Sequence, residues 1–444
     1  MNLSIIIGKI FYKLGSFLNR GSSLPGAIVL KLNKNILKDF KIPSKVIAVT
    51  GSSGKGSTTS MLAKIFRDQG YKVTHNDSGS NLIAGITTAL IKDSNINGKI
   101  KSDIVILEVD ERYTKYIFND IKIDLLVITN ICRDQPPRQG HFDLVFEEIN
   151  KSINKNMTLV LNGDDPYLRK FENKSNNIIY YGIDKNKYAY KKNIFMNLNI
   201  NYCPKCNNKL EYNFYNFENN GDYYCPNCDF KRPKIDYKVT NIDYINNIVE
   251  INDKTKLAIP FNVLFCIYNT LASFAVGDIF KLDNDKMVET ISAIDKDKKI
   301  YNVYDYNNRI VTVLNNKNEN SSTFNQSLLY VNRFKDEKVI VIGWKEISRR
   351  YNFDDLSWLY DIDFEILKKA NVNKIICVGI HRYDIATRIK LAGINEKNII
   401  TFENLKDTTD YIKNKTKGNI YGILNFDYVK PFNSYMIGSD NSDN

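Results

Sequence analysis

The chain has 444 residues, room for about two or three domains at roughly 150 residues each, and its 43% hydrophobic and 25% charged content is that of a globular chain able to bury a core. The net charge of +12 is spread along a lysine-rich sequence, which favours anionic partners only weakly and offers no concentrated basic face, so no nucleic-acid partner is expected. No run of 18 or more apolar residues occurs, which excludes a simple membrane-spanning helix.

In chain order, Leu3, Ile6, Ile7, Ile10, Leu14 and Phe17 recur at helical spacing, with Lys9, Lys13 and Arg20 among the polar positions. This is an amphipathic helix that either packs on its own domain or touches a lipid interface. It lacks the basic start and small-residue cleavage site of a signal peptide. Residues 1–43 form a helical lead-in to the next element. VIAVTGSSGKGSTT then runs from Val46 to Thr59. A β-branched strand ends at Gly51, a small-residue loop follows, and a helical pattern opens after Lys55. Such a loop leaves backbone N–H groups of Gly51, Ser52, Ser53, Gly54 and Gly56 open to a polyphosphate at the positive end of the helix. Lys55 adds a point charge, and a hydroxyl from Ser57 or Thr58 can reach Mg²⁺.

YKVTHN reads as a second strand, and SDIVILEVDE as a buried parallel strand whose end delivers Glu108, Asp110 and Glu111. A carboxylate there can hold Mg²⁺, and Glu108 is the candidate. IDLLVITN ends at Asn130, and MTLVLNGDDP places Asp164 and Asp165 after a further strand. Strands alternating with helices argue for a parallel sheet covered on both faces, with ligands beyond the carboxyl ends of the strands. The phosphate loop, Glu108, Asn130 and Asp164 all fall at such ends.

Cys203-Pro-Lys-Cys206 and Cys225-Pro-Asn-Cys228 are four of the seven cysteines, spaced as in a four-thiolate zinc site. Four thiolates fill a tetrahedral ion, so the Zn²⁺ is structural. Such a site points to a reducing, cytoplasmic setting. Cys132, Cys266 and Cys377 stand alone in apolar contexts as core residues. YKVTNIDYINNIVEIN is hairpin-like, and FNVLFCIYNTLASFAVGDIF is a buried helix in which Asn269 is either a capped core amide or a base-recognition residue. Asp- and Lys-rich sequence between about 280 and 300 marks the boundary to a second α/β domain, with strands Ile310–Leu314, VIVIGW and KIICVGI. DDLSWLYDIDFE between the last two is an acidic loop around Trp358. HRYDIATRIKLAG sets Arg382, Asp384 and Arg388 at a helix start, suited to an anion or another chain.

VTGSSGKGSTT, NDSGSNLIAGITTALI, LEVDERY, ITNICRDQ, LNGDDP and YNTLASFA, in this order, resemble the Mur ligase superfamily. The cysteine insertion, the short lead-in and the C-terminal segments are similar to its MurT branch, the ATP-using subunits of lipid II isoglutaminyl synthase. The resemblance, over roughly residues 20–430, implies an α/β fold: a Mur ligase-type parallel-sheet ATPase domain over 44–295, a zinc ribbon inserted at 200–232, and a Rossmann-like α/β domain over 296–444. It implies that ATP phosphorylates the D-glutamate α-carboxylate of the lipid II stem peptide. Ammonia from a GatD-type glutamine amidotransferase partner then gives D-isoglutamine, at the inner face of the cell membrane. Carried over by position, Lys55 binds phosphates, Ser57 or Thr58 and Glu108 hold Mg²⁺, and Asn269 sits near adenine. Asp355 of D-x-S-W orients the partner's catalytic histidine.

The chain departs from that pattern in places. GKGS is closer to folylpolyglutamate synthases, DQPPRQG replaces D-Q-L-D-R-Y, and Cys266 replaces an asparagine. Ile149 stands near the carbamylated lysine of Mur ligases, so no such modification is expected. Lys317-Asn318-Glu319-Asn320 replaces K-N-P-A-G. The rival readings are a folylpolyglutamate synthase-like amino-acid ligase, a paralogue amidating another carboxylate, and an ATP-binding scaffold or nucleic-acid-binding protein.

Overall fold

The computed structural model describes residues 2–17, 21–43, 45–77, 80–133, 141–196, 198, 200–294, 301–315, 320–345 and 355–438. Arg20, Ser78 and Gly79 of the DSGSN segment, Asp134 to Gly140 of DQPPRQG, Lys317 to Glu319 and Asp354 lie outside these residues. The chain divides into two compact units, one of residues 1–132, 141–192 and 199–294, the other of 133–140, 193–198 and 295–444.

The first unit runs α1 (Leu3–Phe17), α2 (Leu24–Leu32), α3 (Ile36–Asp39), β1 (Val46–Thr50), α4 (Lys55–Asp68), β2 (Val73–His75), α5 (Ile83–Asp93), β3 (Ile104–Glu108), α6 (Thr114–Asp120), β4 (Leu125–Ile128), α7 (Phe142–Asn150), β5 (Thr158–Asn162) and β6 (Asn177–Ile183). The hairpin β7 (Glu211–Phe217) and β8 (Asn220–Tyr224) stands as its own small sheet. β9 (Tyr237–Asp243), β10 (Ile248–Ile251), β11 (Thr255–Ala258), α8 (Leu264–Ile279) and α9 (Asn284–Ser292) complete the unit. Nine strands form one sheet in the order β11-β10-β9-β6-β5-β4-β1-β3-β2. It is parallel from β9 to β2, with β10 and β11 added antiparallel.

The strand alternation divides the core. Val46, Ala48, Val105 and Leu107 face a layer with Ile86, Leu90, Phe146 and Ile149. Ile47, Val49, Ile104 and Ile106 face Leu62, Phe66, Ile267 and Leu271 on the other side. A strand buried on both faces reads as a continuous β-branched run, which is why VIAVT and IVILE were legible. Ile149 is fully buried in the first layer. The register pairs Val49 with Glu108 and Thr50 with Ile128, so the carboxyl ends of β1, β3 and β4 lie side by side.

The Asp- and Lys-rich stretch expected at the boundary is where the chain passes from the first unit, which ends at Ile294, to the second, and its first part is α9, whose Met287, Thr290 and Ile291 are buried. Hydrophobic spacing inside it was masked by its charges.

The second unit runs β12 (Tyr301–Tyr306), β13 (Arg309–Asn315), α10 (Ser321–Arg333), β14 (Lys338–Gly343), β15 (Val372–Val378), α11 (Arg382–Leu391), β16 (Ile399–Phe402), α12 (Leu405–Lys415), β17 (Asn419–Leu424) and α13 (Phe426–Ile437). Its sheet has the order β12-β13-β17-β14-β15-β16, parallel except for β12. Trp344 and Trp358 are buried with their rings 5.0 Å apart. Arg388, expected to meet an anion or another chain, is instead internal. It is buried, bonds both oxygens of Glu365 at 3.1 and 3.0 Å, and caps the Ile362 carbonyl.

Candidate functional site

The turn after β1 is built around Gly54, whose φ of +82° admits glycine at little cost where a side chain would be strained. From Gly54 the chain enters α4, so the open N–H groups of the helix start lie at the loop. The end of β4 holds the loop in place. Ser53 N–H donates to Asn130 Oδ1 at 3.1 Å, Asn130 Nδ2 donates to the Ser53 carbonyl at 3.0 Å, and Thr129 Oγ1 donates to the same carbonyl at 2.6 Å. Ser52 Oγ bonds Cys132 O and accepts from Cys132 N. Asn130 therefore acts on the loop itself, with both ends of its amide engaged there.

Lys55 leaves the loop with its side chain largely shielded from water, its Nζ donating to the Gly51 carbonyl and paired with Glu111 Oε1 at 3.1 Å. Burial works against its charge, but Glu111, Asp110 and Glu108, with the Glu111 hydrogen bond, outweigh it and hold Lys55 above the ordinary lysine value. Glu108 lies against the first turn of α4. A methyl group on Gly56 would come within 3.2 Å of Glu108 Oε2, so the glycine after the lysine makes room for this carboxylate. Asn81 Nδ2 donates to Glu108 Oε1 at 3.0 Å, and Asn76 exchanges two 2.8 Å bonds with the Glu108 backbone. Asp110 is clasped by Arg112 through Nε at 2.8 Å and Nη2 at 2.7 Å. Burial opposes its ionisation, and the Arg112 bonds and the Lys55 charge overcome this, keeping Asp110 below the usual carboxylate range.

Thr58 Oγ1 is sealed in the helix, bonded to the Gly54 carbonyl at 2.9 Å, while Ser57 is half-buried at the loop. Of the two hydroxyls, Ser57 is the one placed to reach a cation. Asn269, on α8, meets the loop from the other side. A methyl on Gly54 would lie 2.6 Å from Asn269 Oδ1, and Asn269 Nδ2 is buried without a hydrogen-bond partner. The loop thus has an unsatisfied amide donor on one flank, a carboxylate on the other, and a lysine between. These residues fit a nucleotide triphosphate with Mg²⁺.

Asp164 does not join them. It is fully buried and receives Arg232 Nε at 2.8 Å and Nη2 at 2.6 Å, the Ile183 N–H at 2.7 Å and the Tyr268 O–H at 2.8 Å. Arg232 follows the second cysteine pair, and Tyr268 precedes Asn269. Asp164 thus ties the cysteine-bearing insertion to the helix that flanks the loop. Strand-end position was the wrong cue here, because its partner lies 68 residues away.

The four Sγ atoms of Cys203, Cys206, Cys225 and Cys228 lie within 4.8 Å of one another. Lys205 N–H and Asn227 N–H point at Cys203 and Cys225 sulfurs at 3.4 and 3.5 Å. Hydrogen bonds from Asn208 push Cys206 down to about 6. Four converging thiols with N–H donors fit a tetrahedral soft ion, with Tyr223, Phe230 and Leu210 packed around them.

In the second unit, Asp355 Oδ1 accepts the Ser357 N–H at 2.8 Å. That bond, together with the Arg133 charge, holds Asp355 below the usual carboxylate range. Arg133 clasps the same segment, with Nη2 donating to Ser357 Oγ at 2.9 Å and Nη1 to Asp361 Oδ2 at 2.5 Å. Sequence reasoning missed Asn76, Asn81, Arg112 and Arg133. Asn76 and Asn81 had one cue, as polar residues just after β2, which pairs with β3, the strand that ends at Glu108.

The family profile described as the Mur ligase middle domain matches residues 49–277, and that described as MurT ligase C-terminal matches 317–428. Among curated proteins, the MurT subunit of lipid II isoglutaminyl synthase (glutamine-hydrolyzing) from Staphylococcus aureus strain COL is 29% identical over 93% of this chain and 92% of its own length. The subunit of the same name from Streptococcus pneumoniae strain R6 is 28% identical over 98% and 96%. Among solved structures, a pseudomurein peptide ligase type C from Methanothermus fervidus matches with a TM-score of 0.70 at 22% identity, over 91% of this chain and 80% of the other. MurF ligase from Thermotoga maritima in complex with ADP matches with a TM-score of 0.62 at 18% identity, over 93% and 84%. At these identities the structural likenesses speak for the fold.

Proposed function

From the premise that this chain belongs to the Mur ligase family, we propose that it is the ATP-using subunit of a lipid II isoglutaminyl synthase. The observation that carries the reading is the convergence on the loop at Gly54–Gly56 of Lys55, the Glu108 carboxylate and the unsatisfied amide of Asn269. The substrate follows the names of the relatives matched along nearly the whole chain. Lipid II is membrane-linked, so the reaction belongs at the cytoplasmic membrane face.

A carboxylate is a poor electrophile until one of its oxygens becomes part of a leaving group. Phosphoryl transfer from ATP to the α-carboxylate of D-glutamate forms an acyl phosphate and ADP. Ammonia attacks the carbonyl carbon, the C–O bond to phosphate breaks, a proton leaves the nitrogen, and the amide and inorganic phosphate are released. The protein's contribution to the first step is positioning and charge neutralisation. Lys55 exchanges Glu111 for the phosphates, the loop N–H groups hold them, Asn269 meets the base, and Ser57 and Glu108 would hold Mg²⁺. That ion would neutralise charge building on the transferred group. Zn²⁺ on the four cysteines is structural.

The ammonia comes from a GatD-type glutaminase bound to this chain, and Asp355 orients that partner's catalytic histidine. Its ionised, N–H-anchored carboxylate suits the task. The test is mass-spectrometric detection of amidated lipid II with ATP and either glutamine plus glutaminase or ammonium. Glu108→Ala is expected to abolish product from both nitrogen sources, and Asp355→Asn only from glutamine. Absence of amide from both sources, in a chain that binds ATP, would overturn the reading.

A further inference from the structure

Helix α1 packs through one face, on Ile5 and two glycines, and presents most of its other large side chains to water. Its buried residues are Ile5, Gly8 and Gly15. Gly8 sits so close to the core that a methyl there would come within 2.8 Å of Ile91 and Val29. By contrast Leu3, Ile10, Leu14 and Phe17 are 70%, 53%, 57% and 89% exposed. At 3.6 residues per turn these four positions fall within about 60° of one another, a single stripe running the length of the helix. Exposed apolar residues scattered singly need no explanation, but a contiguous stripe marks a surface that is covered in use.

Charge says what covers it. The first 38 residues carry six cations, Lys9, Lys13, Arg20, Lys31, Lys34 and Lys38, and no Asp or Glu. Lys13, Lys31 and Lys34 are exposed, Lys9 bonds the Ile91 carbonyl, and Lys38 pairs with Asp120. Among the described residues no helix is long and apolar enough to cross a membrane. We propose that α1 is an interfacial anchor, lying in the plane of an anionic bilayer with the Leu3–Ile10–Leu14–Phe17 stripe at the acyl boundary and the exposed lysines among the headgroups. An apolar stripe beside lysines, in a segment without a carboxylate, is the pattern of a helix that lies on lipid. The inference deepens the functional reading, because a lipid-linked substrate is met at such a surface.

The test is co-sedimentation of the full chain with vesicles of phosphatidylcholine alone or mixed with phosphatidylglycerol, at low and high salt. Binding is expected only to the anionic vesicles and is weakened by salt. Leu14→Asp with Phe17→Asp lowers it about tenfold or more, and Lys13→Gln with Lys31→Gln and Lys34→Gln lowers it in part. ATP binding and amidation of detergent-solubilised lipid II stay at the parent level in the Leu14/Phe17 variant, which shows that it folds. Failure of the parent chain to bind anionic vesicles, or binding indifferent to both sets of substitutions, overturns the anchor. So does loss of glutaminase co-purification in the Leu14/Phe17 variant, which would assign the stripe to a protein partner. Lost amidation with retained vesicle binding would instead fault the functional reading.

Discussion

Replacing Arg232 by methionine keeps an aliphatic stem of similar length and removes the guanidinium from Asp164, a carboxylate with no exposure to water. Breaking a buried pair from one side costs about 3–5 kcal/mol, because the remaining charge is left without compensation. Asp164 keeps the Ile183 N–H at 2.7 Å and the Tyr268 O–H at 2.8 Å. Those donors place the expected loss at the lower end, about 3 kcal/mol. Asp164→Asn added to Arg232→Met removes the orphaned charge, so the double variant is expected to regain about 1–2 kcal/mol relative to the sum of the single ones. Urea unfolding of the four proteins, followed by circular dichroism with zinc content measured on the same samples, reads the cycle. Because Tyr268 precedes Asn269, ATP binding measured by calorimetry should weaken in Arg232→Met as well. A loss below about 1 kcal/mol, or two substitutions that simply add, would refute the claim that this pair ties the insertion to the nucleotide-flanking helix.

Gly54→Ala forces a side chain into a left-handed position and against Asn269 Oδ1. It should lower ATP affinity about tenfold or more, the strain alone being worth about 1–2 kcal/mol, as read by calorimetry. Glu111→Gln weakens the competitor that holds Lys55, and ATP is expected to bind several-fold tighter; weaker binding would make Glu111 an aid to the ligand instead. Treatment with a mercurial thiol reagent should release zinc from the four cysteines and lower the thermal midpoint, and a chain that releases none has no zinc site. His75 is pushed down to about 4, mainly by burial and also by Arg67. The folded protein therefore holds it neutral while the unfolded chain takes up a proton near the ordinary histidine value. Stability is intact above about pH 6.5 and falls between there and about pH 4, by roughly 2 kcal/mol after discounting for partial exposure. His75→Gln should flatten that limb of the thermal midpoint against pH.

The parts of the fold legible in the sequence were those whose cause is local. VIAVT and IVILE read as parallel strands because both faces are buried, and the loop from Gly51 to Gly56 read as a strand-to-helix turn because its small residues follow a strand and precede a helix. The cysteine pairs carried their own geometry. What failed depended on partners distant in the chain. Asp164 and Arg388 looked like ligand-facing groups, yet Arg232 and Glu365 consume them. Within the boundary stretch the helix α9 went unread, because only Met287, Thr290 and Ile291 turn inward from its charged surface. Asn76 and Asn81 escaped notice because their value lies in holding Glu108. The apolar spacing of α1 was visible in the sequence, but only the structure shows that Leu3, Ile10, Leu14 and Phe17 face outward while Ile6 and Ile7 are half-buried.

The most direct test of the central claim follows oxygen. With ¹⁸O in the α-carboxylate of the D-glutamate of lipid II, ATP-dependent amidation by this chain and its glutaminase should place one labelled oxygen from that carboxylate in inorganic phosphate for each amide formed. Phosphate without label, alongside amide product, would show that the carboxylate is not activated by phosphoryl transfer at the Lys55 loop and would contradict the account.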